Sequence, residues 1–149
     1  MTNRASFEFF SEFPLGVFLE NFIDEMTASK LVQYVILRND LLPKRSNSGA
    51  FSLGACIAQG CHAATAALFK SYSDISTTAF LESTSDMTVC VLGVENVTEL
   101  IELSRKMEES KITCHLWIEK PEDIPTALAT APVSKEVASP ILGHLKLLR

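Results

Sequence analysis

The chain has 149 residues, of which 47% are hydrophobic and 21% are charged, a balance typical of a single folded domain. Its net charge of −5 argues against a nucleic-acid binder with a broad basic surface, because such proteins carry a strong surplus of Lys and Arg. No apolar run reaches the roughly 20 residues of a membrane-spanning helix, so no membrane partner is expected.

The first predicted element is a helix over residues 14–28. Apolar residues recur there at helical spacing from Leu15 to Met26, and acidic residues occupy the opposite face. We interpret residues 1–30 as an N-terminal amphipathic helical extension. It either docks on its own domain or contacts a protein partner or a second copy of the chain. Residues 1–30 lack a basic start followed by an uninterrupted apolar run, so no signal peptide is predicted. They also carry five acids against two bases, which argues against a mitochondrial presequence.

The remaining elements alternate between strands and helices. The pattern predicts strands over 31–37, 87–94, 113–119 and 126–132, and helices over 55–71, 76–83, 96–109 and 134–143. This order predicts an α/β domain over residues 31–149 with a mostly parallel or mixed sheet. Ligands of such sheets gather at the carboxyl ends of the strands, which fall here at Arg38–Asp40 and at Glu119.

The predicted helix over 55–71 carries Gln59 and His62 among alanines and cysteines. A helical wheel assigns its core-facing stripe to four residues, namely Ile57, Cys61, Ala64 and Leu68. Gln59 and His62 then share a broad opposite face, with Thr65 further round. Two alternatives stay open for this polar pair: it holds neighbouring loops in place, or it takes part in chemistry.

The sequence contains four cysteines, Cys56, Cys61, Cys90 and Cys114. They lack C-x-x-C spacing, so a structural zinc site is not predicted. Cys56 and Cys61 point apart on one helix, which excludes a disulfide between them. We interpret all four thiols as small apolar core residues. Free thiols without a signal peptide indicate a reducing compartment and predict a cytoplasmic protein.

Four segments occur in the order VILRNDL, IAQGCHAATAAL, LWIEKPEDIPTALATAP and GHLKLL. They resemble the type II peptidyl-tRNA hydrolases, in the subgroup called peptidyl-tRNA hydrolase domain-containing proteins. The resemblance implies a three-layer α/β/α domain with a mixed, roughly four-stranded sheet. It also implies hydrolysis of the ester between a peptide and the 3′ end of tRNA, which recycles tRNA for translation. The implied partner is therefore tRNA, and no metal or organic cofactor is implied.

The resemblance also locates the functional residues of the family. The main type II enzymes carry two lysines in a G-K-G-K segment, and these positions are Leu53 and Ala55 here. Their catalytic aspartate, in a D-A-G-R-T-Q loop, falls at Glu119. The arginine and threonine of that loop fall at Glu122 and Asp123. The carboxylate is thus kept, whereas the cations are missing unless Lys44, Arg45 or Lys120 replaces them.

These positions lead to a catalytic hypothesis built on Glu119, His62 and Gln59. Either Glu119 or His62 is the general base, and Gln59 or a backbone N–H at the helix start stabilises the oxyanion. The competing role for His62 is a structural tie between the helix and the loop at Asp40. The residues proposed to bind substrate or order its loop are Arg38, Asp40, Lys44, Arg45, Thr65, Lys120 and Thr126.

A different function is also consistent with the sequence. The missing lysines and the negative net charge favour a catalytically weak or inactive protein that binds tRNA or another protein. The retained Gln59, His62 and Glu119 oppose this alternative, because a bare scaffold has little need of converging polar groups.

Overall fold

The computed structural model describes residues 29–43 and 51–148. The predicted helix over 14–28 and the residues Lys44 and Arg45 lie outside this described part. The division of the chain at residue 30 and the partner role of its N-terminal segment therefore stay predictions.

The described elements follow the predicted order, and every predicted strand and helix within them is confirmed to within two residues at each end. They are β1 (Leu31–Arg38), a 3₁₀ turn (Asn39–Leu41), α1 (Leu53–Lys70), α2 (Ile75–Glu82), β2 (Thr88–Val94), α3 (Val97–Glu109), β3 (Cys114–Glu119), β4 (Ile124–Thr130), β5 (Val133–Ser134), α4 (Lys135–Leu142) and β6 (Lys146–Leu147). The 3₁₀ turn and the two-residue strands β5 and β6 were not predicted.

The sheet is mixed, as predicted. Its strand order is β3-β4-β1-β2-β6, with β5 paired to the start of β1. β1 runs parallel to β2 and antiparallel to β4, and β3 is antiparallel to β4. β1 is therefore the central strand. Its residues from Gln33 to Arg38 are all buried, which explains why its sequence is a continuous run instead of an alternating pattern.

Helices cover both faces of the sheet, which confirms the three-layer arrangement. On one face α3 and α4 pack over a large core whose residues include Ile36, Leu100, Met107 and Leu128. On the other face α1 packs over a smaller core that consists of Val35, Leu37, Ala63, Ala67, Ala127 and Ala129. The α1 face is thus lined mainly by small side chains, and the helix lies close to the strands.

The predicted core-facing stripe of α1 is wrong. Its buried residues are Cys56, Gln59, Gly60, Ala63 and Ala67. Ile57 and Cys61 are exposed instead, and Ala64 and Leu68 are only half-buried. The physical reason is the close approach to the sheet: a Cβ added at Gly60 would lie 3.3 Å from Val35 Cγ1. Small residues therefore mark the sheet contact of this helix, whereas its larger apolar residues point outward.

The cysteines follow the prediction in part. All four thiols are free, so the prediction that Cys56 and Cys61 form no disulfide is confirmed. Cys56 and Cys114 are buried core residues, and burial raises the pKa of both thiols above the ordinary range. Cys61 is exposed, so its assignment to the core is wrong. The reason is the one given for the predicted stripe: other, smaller residues of α1 face the sheet.

The observed buried face of α1 can be tested by enlarging one of its residues. Ala63 is fully buried, so Ala63→Leu forces a branched side chain against the sheet. We expect the free energy of unfolding to fall by about 1–3 kcal/mol. The matched variant Cys61→Leu, on the exposed side of the same helix, should change it by less than about 0.5 kcal/mol. Urea denaturation measures both values, and equal losses would contradict the reassigned face.

Candidate active site

The candidate site lies at the sheet edge where β1 and β3 end. Each of these strands is antiparallel to β4, so they run parallel to each other and their carboxyl ends share one edge. Arg38 and Glu119 are the last residues of the two strands. α1 packs on β1, β3 and β4 and places Gln59 and His62 over them. Residues that are distant in the sequence are thereby brought to the same end of the sheet.

A bulge in β4 aims Thr126 at α1. Trp117 pairs with Ala127 and Ile118 pairs with Pro125, so Thr126 is an extra residue on β4. Bulges bend a strand and re-aim a side chain, and they tolerate a neighbouring proline. Thr126 Oγ1 donates a buried hydrogen bond of 2.7 Å to Gln59 Oε1. The bulge thus supplies the polar partner that allows an amide to be buried on the sheet-facing side of α1.

Arg38 holds the same bulge from the side of β1. Its Nη1 donates to the carbonyl oxygen of Pro125 at 2.8 Å, one residue before Thr126. Its Nε and Nη2 donate to the two carboxylate oxygens of Asp40 at 3.0 and 2.7 Å, in a bidentate pair. Arg38 is only 8% exposed. Of the two predicted roles of Arg38 and Asp40, this geometry favours ordering the loop over contacting RNA.

Trp117 links His62 to Glu119. The rings of His62 and Trp117 are stacked, with centroids 4.6 Å apart and an interplanar angle of 17°. Trp117 Nε1 donates a hydrogen bond of 2.8 Å to Glu119 Oε2. His62 is therefore seated on Trp117, and the described contacts do not tie it to Asp40. Trp117 was not predicted as a site residue, although its i, i+2 spacing from Glu119 puts both side chains on one face of β3.

His115 also lies beside the indole of Trp117. Its ring centroid lies 6.2 Å from that of Trp117, at an interplanar angle of 49°. Burial, reinforced by the nearby Lys70 cation, lowers the pKa of His115 below its ordinary value. Lys70 Nζ itself donates to the carbonyl oxygen of Cys114 at 3.1 Å and ties the end of α1 to β3. His115 is thus biased toward the neutral imidazole beside Trp117.

The other predicted site residues stand apart from these contacts. Thr65 is exposed on α1, and within the described residues no contact joins it to Gln59 or Trp117. Lys120 forms an exposed ion pair with Asp123 in the β3–β4 turn. Its cation is therefore already partnered there.

The start of α1 is apolar where the family resemblance places lysines. Leu53 is 63% exposed, and Ile57, one turn later, is 56% exposed. Ser52 caps the helix, with its Oγ accepting a hydrogen bond of 3.1 Å from the backbone N–H of Ala55. One of the helix-start N–H groups considered as oxyanion donors is thus already used.

Two hollows lie at this sheet edge. The smaller has room for about one water and is lined by Leu37, Arg38, Leu41, Leu42, Phe51, Cys56, Gln59 and Thr126. The larger is an open cleft of about 870 Å³ near the ends of β1 and β2, and its lining includes Asn39, Glu95, Glu99, His144 and Lys146. The smaller hollow is the one that adjoins the Gln59–Thr126 pair.

The described residues hold no cluster of three or more His, Cys, Asp or Glu side chains suited to a metal ion. None of the helices within the described ranges is long and apolar enough to cross a membrane.

Comparison with known proteins gives consistent similarities. A family model described as peptidyl-tRNA hydrolase PTH2 matches residues 31–148. Two relatives bear the name "Putative peptidyl-tRNA hydrolase PTRHD1". The protein of Mus musculus is 39% identical over 121 residues, and that of Homo sapiens is 38% identical over 121. Each alignment covers 80% of this chain and 83% of the relative.

A solved structure of a protein of unknown function from Agrobacterium tumefaciens strain C58 is also similar. It aligns with a TM-score of 0.48 and 13% sequence identity. The alignment covers 80% of this chain and 98% of that one.

Proposed function

The chain belongs to the PTH2 family of peptidyl-tRNA hydrolases, and from this membership we propose that it hydrolyses the ester joining a peptide to the 3′ ribose of tRNA. The observation that carries the proposal is the buried hydrogen bond between Gln59 and Thr126, formed at the end of the sheet where β3 also ends at Glu119. Gln59 and Thr126 are 67 positions apart in the chain, yet their side chains are 2.7 Å apart. The proposed products are the free peptide and a tRNA with an unmodified 3′ end.

Glu119 is the proposed general base. The N–H of Trp117 binds Glu119 Oε2 and fixes the orientation of the carboxylate, so Oε1 remains to accept a proton from water. The oxygen of that water attacks the ester carbonyl carbon. The bond to the ribose oxygen then breaks, and the proton held by Glu119 passes to the leaving oxygen. Water, base and ester are thus sufficient, and each proton is accounted for.

Gln59 is the proposed donor to the oxyanion. Because the Thr126 hydroxyl donates to Oε1, the amide is oriented with its Nε2–H₂ group left for another acceptor. A donor that is fixed before the reaction stabilises developing charge without reorganising, which is the main advantage of an oxyanion hole. Arg38 supports this arrangement through Pro125, the residue before Thr126.

A second candidate function is binding without turnover. It is favoured by the exposed pair Leu53 and Ile57 at the start of α1, where an enzyme that contacts phosphates would be served better by cations. Exposed apolar side chains one turn apart suit a protein surface more than an RNA backbone. The two functions differ in whether the ester is cleaved.

The deciding experiment is a turnover assay with N-acetylaminoacyl-tRNA and the full-length protein. We expect free tRNA to form at least about 100-fold faster than by spontaneous hydrolysis. Heat-denatured protein at the same concentration is the control. Measurable tRNA or protein binding with no cleavage above this control would contradict hydrolysis and support the binding function.

A further inference from the structure

We propose that the outer face of the His62 ring, backed by Trp117, is a stacking platform for the base of the 3′-terminal nucleotide of an RNA. This inference rests on the proposed function and deepens it, because it names how the site would hold the end of its substrate.

The rings of His62 and Trp117 form a stacked pair to which a further aromatic ring could add. One face of the His62 imidazole is covered by the Trp117 indole at a centroid distance of 4.6 Å. His62 is nevertheless exposed, so part of this side chain is open to solvent. The base would stack on the ring face that Trp117 leaves uncovered. The indole is fixed in turn by its hydrogen bond to Glu119 and by the tilted ring of His115. An aromatic surface that is already immobilised loses little conformational freedom when a base stacks on it.

The platform also lies beside the proposed chemistry. In peptidyl-tRNA the scissile ester is on the ribose of the last nucleotide. The base of that nucleotide is attached to the same ribose, so it lies close to the reacting carbon. Trp117 contacts the stacked His62 with its ring and the proposed base Glu119 with its N–H. A nucleotide whose base stacks on His62 would therefore place its ribose near the carboxylate.

The negative net charge of the chain favours a contact that binds RNA without attracting its phosphates. With a net charge of −5, and with Leu53 and Ala55 at the positions of the family lysines, phosphate attraction contributes little binding energy. Stacking needs no cation, because every base presents an aromatic face. A platform of this kind would hold the RNA end where the family's cations are absent.

The chain contains a single tryptophan, so its fluorescence reports directly on Trp117. The probes are two RNA minihelices that carry no aminoacyl or peptidyl group. One ends in the natural 3′ adenosine, and the other has an abasic ribose at that last position. We expect the first to quench Trp117 fluorescence and to bind about tenfold more tightly than the second. His62→Ala should abolish the difference, whereas His62→Phe, which keeps an aromatic ring, should retain it.

Cys61→Ala, at the exposed neighbouring position of α1, is the matched control and should leave the difference intact. Equal or undetectable binding of both RNAs by the wild-type protein would overturn the proposal. Retained discrimination in His62→Ala would also overturn it. Because the probes carry no ester, the result is independent of turnover. A difference in affinity between the two RNAs without ester cleavage would support the platform and reject hydrolysis. Ester cleavage without that difference would support hydrolysis and reject the platform.

Discussion

Glu119→Gln is expected to lower the rate constant of ester cleavage by at least about 100-fold. The glutamine has nearly the shape of the glutamate, and its carbonyl oxygen can still accept the hydrogen bond from Trp117 Nε1. It cannot take a proton from water, so the chemical step should lose its base while the fold is kept. Single-turnover cleavage of N-acetylaminoacyl-tRNA measures the rate constant, and circular dichroism verifies folding.

Two companion variants separate the base from its orientation. Glu119→Asp keeps a carboxylate but shortens its reach toward Trp117, so an intermediate rate is expected. Trp117→Phe keeps an aromatic ring under His62 and removes the N–H donor, which should slow cleavage by about tenfold through a misoriented carboxylate. Full activity of Glu119→Gln would show that the base lies elsewhere, and His62 would then be the remaining residue of the sequence hypothesis.

The secondary structure could be predicted because its signals are local. The helix start at Asn96 is an example: Asn96 Oδ1 accepts from the backbone N–H of Glu99 at 3.1 Å, and Glu99 Oε2 accepts from that of Glu95 at 2.6 Å. The buried run of β1 is another, since a continuous apolar strand in an α/β pattern belongs at the centre of the sheet. Such signals need only neighbours in the sequence.

The orientation of α1 could not be predicted from its own residues. Hydrophobic periodicity ranks Ile57 above Gly60 as a core residue, yet the sheet beneath the helix accepts only a small side chain at position 60. The burial of Gln59 depends on Thr126 and on a bulge far along the chain. Neither is visible in a helical wheel, which treats every polar residue as outward-facing.

The residues of the candidate site were proposed from the sequence, whereas the contacts that hold them in place were not predicted. The strand-end rule placed Arg38 and Glu119 at one end of the sheet, and the polar residues of the predicted helix over 55–71 added Gln59 and His62. The stacking of His62 on Trp117 arises only when α1 lies across β3, so no sequence spacing announces it. Contacts between layers are therefore the part that sequence reasoning misses here.

Removing the amide of Gln59 is expected to slow catalysis about as much as Glu119→Gln does. Gln59→Leu deletes the proposed oxyanion donor and should lower kcat by about 100- to 1,000-fold. It also leaves the buried Thr126 hydroxyl without its acceptor, which should reduce the free energy of unfolding by about 1–3 kcal/mol. Thr126→Val has the converse defect, since Gln59 Oε1 loses its donor, and should destabilise the protein by a similar amount. Thr126→Ser keeps the hydroxyl and is the matched control.

The double variant Gln59→Leu/Thr126→Val separates stability from chemistry. When both partners of a buried hydrogen bond become apolar, no polar group is left unpaired, so stability should return close to that of the wild type. The oxyanion donor is still missing, so cleavage should stay as slow as in Gln59→Leu. Denaturant midpoints and single-turnover rates measure the two quantities on the same samples. Recovery of both together would mean that the Gln59–Thr126 pair only holds α1 on the sheet and donates nothing to the reaction.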